Sequence, residues 1–319
     1  MTYSSGSTIL ASDYNTFTTS AGGLNDIWAV GSGDKGWGQT AFTSVAISDT
    51  VTATQWATLV NNLSTAGTQT NTTLTSRTAP SAGQTIGILA ALSADISSVT
   101  TNRGNAAASG TQYGTFSGTT SKTTATGAGT TSWTITFTHT VTFGSSDQAR
   151  YFFNAGGIIR IAMGKSSTGT DKDADWNTFV GTVGTLNLTG RVNSASQTIA
   201  SISYSGFTRS GGSGAPGTLA STTGWYSFTP GAAATTMFQL NESVYPYGSD
   251  YIRVTAAVNA GNTTLTLVTT WYDNGITGFT GKTNNISGGT ATASPSTTIT
   301  GTAPTVLVTY LPPSTTLTN

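Results

Sequence analysis

The chain has 319 residues, with 12 basic and 12 acidic side chains, and charged residues make up only 8% of it, against about 25% in an ordinary soluble domain. Basic residues are too few and too dispersed for a nucleic-acid surface. An apolar fraction of 36%, with 7 Trp, 11 Tyr, 12 Phe and no net charge, excludes the disordered class, which couples low hydrophobicity to high charge.

Residues 1–105 are expected to form a small helical module with an assembly or anchoring role. Tyr14, Phe17, Ala21, Leu24 and Trp28 recur at steps of three and four. They predict one helix that Ser12 or Asp13 is placed to cap and that Gly22 and Gly23 weaken. Trp28 to Thr40 carries Gly31, Gly33, Gly36 and Gly38 and reads as a tight loop flanked by aromatics. Trp56, Leu59, Val60 and Leu63 form one face of a second helix, and Thr52-Ala53-Thr54-Gln55 has the form of a capping box. Ile9-Leu10-Ala11-Ser12-Asp13-Tyr14 aligns with Val51-Thr52-Ala53-Thr54-Gln55-Trp56, a weak internal repeat of helix-entry signals. Ile86, Leu89, Leu92, Ile96 and Val99 line a third helix. A Gly/Ala/Ser linker over residues 104–110 follows.

From residue 111 the period becomes two. Trp133, Ile135, Phe137, His139, Val141 and Phe143 alternate with Thr and Gly, predicting a strand with one buried and one hydroxyl face. Asp147 to Phe153 is expected as a short helix with Asp147 at its cap, and Gly156-Gly157 as a sharp reversal. Residues 158–163 form the next strand, and residues 175–183 a second short helix. Residues 251–258 and 263–271, joined by Asn259-Ala260-Gly261-Asn262, predict a hairpin. A late strand is expected at residues 306–310, stopped by Pro312-Pro313. The expected fold is therefore mainly β: the helical module over 1–105, then an antiparallel β-sandwich or jelly-roll-like domain over 111–319.

Each candidate for chemistry has a plainer structural reading. Gly31-x-Gly33-x-x-Gly36 spells a dinucleotide fingerprint, yet a helical segment precedes it and no strand–turn–helix unit surrounds it, so it reads as a turn. Asp171, Asp173 and Asp175 alternate as calcium-loop acids do, but Trp176 stands where such a loop needs Gly and Thr182 where it needs an acid. They read first as the acidic start of a helix, leaving a weak Ca²⁺ site completed by carbonyls as the metal alternative. His139 is the only histidine. It falls on the apolar face of the strongest strand with no triad pattern beside it. Glu242 is the only glutamate, and no second carboxylate is singled out to face it, as a glycosidase requires. Asn62, Asn187 and Asn262 head glycosylation sequons of the kind a Ser/Thr-rich chain produces by chance. With no cysteine, disulfides, thiolate zinc sites and a cysteine nucleophile are absent. No catalytic, cofactor or metal residue is assigned, and the chain is expected not to be an enzyme.

Two phrases carry a resemblance. The helix-entry repeat at Ile9-x-Ala11-x-Asp13-Tyr14-Asn15 and Val51-Thr52-Ala53-x-Gln55-Trp56 resembles repeats in tailed-bacteriophage virion proteins. Gly33-Asp34-Lys35-Gly36-Trp37-Gly38-Gln39 and Ala149-Arg150-Tyr151-Phe152-Phe153-Asn154-Ala155-Gly156-Gly157 are similar to phrases in structural proteins of cyanophage-like phages. The resemblance implies a virion component (fibre, tail, neck or capsid accessory) that assembles with itself and with other virion proteins, and it carries no catalytic residues. Composition points the same way, because hydroxyls solvate a surface without charge and pack against neighbours at small desolvation cost. The start, Met1-Thr2-Tyr3-Ser4-Ser5, has neither basic nor apolar leader character, and no window approaches the ~18 apolar residues of a membrane span. Synthesis in a host cytoplasm and residence in the particle are therefore expected, without a membrane partner. The alternatives are a bacterial surface filament subunit or adhesin, and a receptor protein for host surface glycans.

Overall fold

The structure is a computed structural model that describes residues 10–84, 89–106, 112–121, 132–165, 171–190, 195–243, 248–274, 296–304 and 314–318. Four helices open it: α1 (Ala11–Thr18), α2 (Asn25–Trp28), α3 (Ala53–Gln69) and α4 (Leu89–Thr101). The single helix expected across Tyr14 to Trp28 is two. Gly22 takes φ +85°, and at Gly23 a Cβ would lie 2.6 Å from the Thr19 nitrogen. The chain therefore turns there, and Leu24 N donates to Phe17 O at 2.8 Å. The cap of α1 also differs from expectation. Leu10 is the N-cap, and Asp13, one turn in, folds back to accept from Leu10 N at 3.3 Å. In α3 the capping box forms as read: Thr52 Oγ1 accepts from Gln55 N at 3.2 Å, and Gln55 Oε1 accepts from Thr52 N at 2.8 Å.

The repeated helix-entry phrases meet in space. Tyr14 and Trp56, their aromatic members, pack edge to face at 5.6 Å, and Phe17 joins the same indole at 6.0 Å. Leu59, Leu63, Leu92, Ile96 and Val99 complete a core within the helical part. Two asparagines tie the intervening chain to it. Asn15 exchanges both amide hydrogen bonds with the backbone of Val45, and Asn25 does the same with Phe42. Each amide substitutes for a peptide partner where no strand is available.

The rest of the chain runs β1 (Asn105–Ala106), β2 (Gln112–Ser121), β3 (Trp133–Thr142), α5 (Ser146–Asn154), β4 (Ile158–Gly164), α6 (Asp171–Val183), β5 (Thr185–Leu188), β6 (Gln197–Ile199), β7 (Ile202–Tyr204), β8 (Phe207–Ser210), β9 (Thr218–Leu219), β10 (Thr235–Asn241), β11 (Tyr251–Val258), β12 (Thr264–Asp273), β13 (Ser296–Pro304) and β14 (Ser314–Thr318). These strands make a six-stranded sheet in the order β14-β3-β12-β11-β10-β9, a five-stranded sheet β2-β13-β4-β5-β8, and a small sheet β1-β6-β7. With α5 and α6 interposed, the architecture is mixed α and β, which corrects the mainly-β expectation. The expected linker is partly structured too, since Asn105–Ala106 pairs in parallel with β6.

In β3 the alternation appears as expected. Ile135, Phe137, His139 and Val141 are buried, while Thr134, Thr136, Thr138, Thr140 and Thr142 are half-buried on the other face. The β11–β12 hairpin turns where predicted, with Asn259 Oδ1 accepting from Thr263 N and Thr264 N at 2.8 and 3.0 Å. The strand expected at 306–310 and the side chain of Trp133 lie outside the described residues. Both large sheets feed one core: Phe137, Phe238, Ile252 and Trp271 from one, Ile159, Ile161, Leu186 and Phe207 from the other. Phe152 and Phe153 of α5 and Trp176 of α6 join it. Trp176 stacks on Trp271 at 5.8 Å with 9° between planes.

Candidate functional site

The two glycine-rich phrases that stand out in the sequence are docked on one another. The loop from Gly31 to Gln39 wraps the C-terminal half of α5, about 115 residues away in the chain. Its shape depends on glycine: Gly31, Gly33, Gly36 and Gly38 all have positive φ. At Gly36, φ +94°, a Cβ would fall 1.9 Å from Val30 O, so no other residue fits that close passage.

This loop presents carbonyls inward, and α5 supplies the donors. Arg150 donates through Nη1 to Gly33 O and Lys35 O, each at 3.0 Å, and through Nη2 to Val30 O at 3.2 Å. Asp147, expected as the helix cap, instead holds the guanidinium, accepting from Nε and Nη2 at 3.1 and 2.7 Å. Ser145 is the cap, accepting from Gln148 N at 3.1 Å. Asn154, buried, donates to Gly36 O at 3.0 Å, and its own carbonyl accepts from Trp37 Nε1 at 3.2 Å. The Tyr226 hydroxyl reaches Asn154 Oδ1 and lies 3.1 Å from Gly33 O.

Ion pairs pin the loop from the helical side, Arg103 to Asp34 at 2.8 Å and Lys35 to Asp26 at 2.6 Å. Gln69 at the end of α3 donates to Ala155 O at 3.0 Å, and Gln197 donates to Phe153 O at 3.0 Å. Burial raises the Tyr226 hydroxyl above its ordinary pKa, and Asp34 adds to the rise. Arg150 and the Asn154 hydrogen bond oppose it.

Such an arrangement engages the backbone carbonyls of the loop. It also explains why the glycine fingerprint is no phosphate cradle. A phosphate loop aims N–H groups at its ligand, whereas here the carbonyls of Val30, Gly33 and Lys35 face a guanidinium. Sequence reading singled out the phrases but not their partners. Tyr226, Gln69 and Gln197 stand alone in the sequence, and only their positions in space identify them.

The other sequence candidates are spread through the fold. The side chains of Asp171 and Asp173 lie outside the described residues. Asp175 lines a recess with Trp176, Phe179, Glu242 and Asp250, too tight to admit a water molecule. The structure thus brings Glu242 near two aspartates that the sequence scatters. Among the described residues no cluster of His, Asp or Glu has metal-binding geometry. His139 is buried in the six-stranded sheet, in register with Leu267 and Leu317 on either side. Asn187 is buried in β5 and bonded to Thr185 O and Ser210 Oγ. A groove of about 530 Å³ follows α3 and residues 71–77, lined by Ser64, Thr68, Asn71, Thr73 and Arg77 among others. The Arg77 guanidinium is paired with Asp95. No described helix is long and apolar enough to cross a membrane.

No family model matches the chain, and comparisons with curated proteins and with solved structures return no match.

Proposed function

We propose that this chain is a non-enzymatic structural subunit of an extracellular particle: a tailed-phage virion component of the fibre, tail, neck or capsid-accessory kind, assembling with copies of itself and with other virion proteins. The observation that carries the reading is where the scarce cations go. Arg150 is spent on loop carbonyls and Asp147. Arg209 donates to the carbonyls of Val183, Thr182, Ser213 and Gly214. Arg77, Arg103 and Lys35 pair with Asp95, Asp34 and Asp26. These charges staple the body internally, while threonine rows clothe the outer face of β3 and β12. A hydroxyl surface stays uncharged at any pH and is cheap to bury against a neighbour. A body clothed in this way suits close packing into an assembly.

The proposal includes the fold at finer grain: the two large sheets face each other as a sandwich of jelly-roll-like type. Support comes from the core both sheets feed and from the chain passing from one to the other between β8 and β9 and between β13 and β14. Strands β14 and β2 also run close together.

Negative-stain images and light scattering of the purified protein test the assembly. Closed rings, stalks or filaments of repeated subunits are the expected result. A protein that stays strictly monomeric at high concentration would overturn the reading.

A further inference from the structure

One patch of the six-stranded sheet departs from its plain threonine cladding. On the face away from the core, Asn241, Tyr251 and Tyr272 form one cross-strand row, and Gln239, Arg253 and Thr270 form the next. Their neighbours along the strands, Leu240, Ile252 and Trp271, are buried, so alternation turns these six outward. Tyr251 and Tyr272 stack with centroids 4.9 Å apart and 26° between planes. Arg253 lies over Tyr251 at 4.5 Å. Its Nε donates to Gln239 Oε1 at 2.8 Å, and Gln239 Nε2 donates to Asn241 Oδ1 at 3.0 Å. Among the described residues Arg253 is in no ion pair, and the hydrogen bond it makes to Gln239 uses Nε, leaving the terminal nitrogens directed elsewhere.

We propose that this patch binds an acidic carbohydrate. A tyrosine ring offers an apolar body and a polar tip, which suits a pyranose with its C–H face and hydroxyl rim. The guanidinium fork matches a carboxylate through two parallel donors, as a uronic-acid sugar presents. Gln239, Asn241 and Thr270 supply donors and acceptors for the sugar hydroxyls. Gln239 and Tyr251 already hold Arg253 in place, so little side-chain freedom is lost on binding. A second copy of this chain is a poorer occupant. A two-fold contact centred here would bring the patch against itself, setting Arg253 near its own copy with no acid in the patch to separate them. The inference does not rest on the particle reading, which assembly images test separately.

The test is affinity electrophoresis of the full-length protein through gels holding polygalacturonate or neutral dextran. Retardation by polygalacturonate and not by dextran is expected, weakening as salt is added. Arg253→Gln abolishes it, and Tyr272→Ala weakens binding roughly tenfold. Thr264→Ala, at the far end of the same face, leaves it unchanged, with thermal melts showing each variant folded. Absent retardation of the natural sequence, equal retardation by dextran, or unchanged retardation of Arg253→Gln each overturns the proposal. So does self-association that Tyr272→Ala abolishes, since that assigns the patch to a second copy.

Discussion

Tyr226 shows how much depends on a residue that sequence reading passes over. Its hydroxyl joins Asn154 on α5 to Gly33 in the helical part, and burial raises its pKa. Burial also raises Tyr14 and Tyr151. The folded chain therefore holds these phenolic protons more tightly than the unfolded chain, whose value is 10.0. The stability they contribute is fully present below that pH and is lost as pH rises above it through the folded-state values. Urea midpoints should accordingly be flat to about pH 9 and fall beyond about pH 10. Tyr226→Phe should lower the unfolding free energy at neutral pH by about 1 kcal/mol and flatten the alkaline fall, because phenylalanine has no proton to lose. An alkaline slope equal in both proteins would remove Tyr226 from this role.

Elements differ in how far local signals specify them. Helix α3 carries its own start signal in Thr52 and Gln55, and β3 its own alternation. The α1–α2 break was foreshadowed by Gly22 and Gly23, yet the helical spacing of Leu24 and Trp28 continues through it, so periodicity alone joins what the backbone separates. Strand β13 has the opposite problem. Ser296–Pro304 shows little apolar alternation, and it lies between β2 and β4, pairing with both. Its state is set by partners remote in sequence, which is the usual reason strand reading fails. Because the α3 cap is exposed and local, Thr52→Ala should cost about 1 kcal/mol. Hydrogen exchange should speed up in the first turn of α3 and leave the β11–β12 hairpin unchanged.

At the scale of the whole molecule, the seam decides whether helices and sheets behave as one body. Asn154 Nδ2 donates to Gly36 O and Asn154 Oδ1 accepts from Tyr226, so Asn154→Ala leaves Gly36 O without its partner and the Tyr226 hydroxyl with Gly33 O alone. The expected cost is about 1–3 kcal/mol. Protection should drop on both sides of the seam, in residues 31–39 and in α5. Loss confined to α5 would show that the two parts hold together by other contacts. The large core beneath is aromatic, and Phe137, packed on Trp271 at 5.8 Å, draws its strength from volume and contact rather than from any polar partner.

By itself, the amino-acid sequence determined the low-charge, hydroxyl-rich surface, the capping box of α3, the inward and outward faces of β3, and the Asn259 hairpin. Each of these rests on neighbours within a few residues, where spacing translates directly into geometry. It also marked the Gly31–Gln39 loop and the Ala149–Gly157 turn as unusual. Only the tertiary structure decided that those two belong to one seam, that Glu242 lies near Asp175 and Asp250, and that Tyr251, Tyr272 and Arg253 share one outward patch. Those relations join positions that chain connectivity leaves far apart or on separate strands. They are fixed by sheet register and core packing, which a single sequence encodes without displaying.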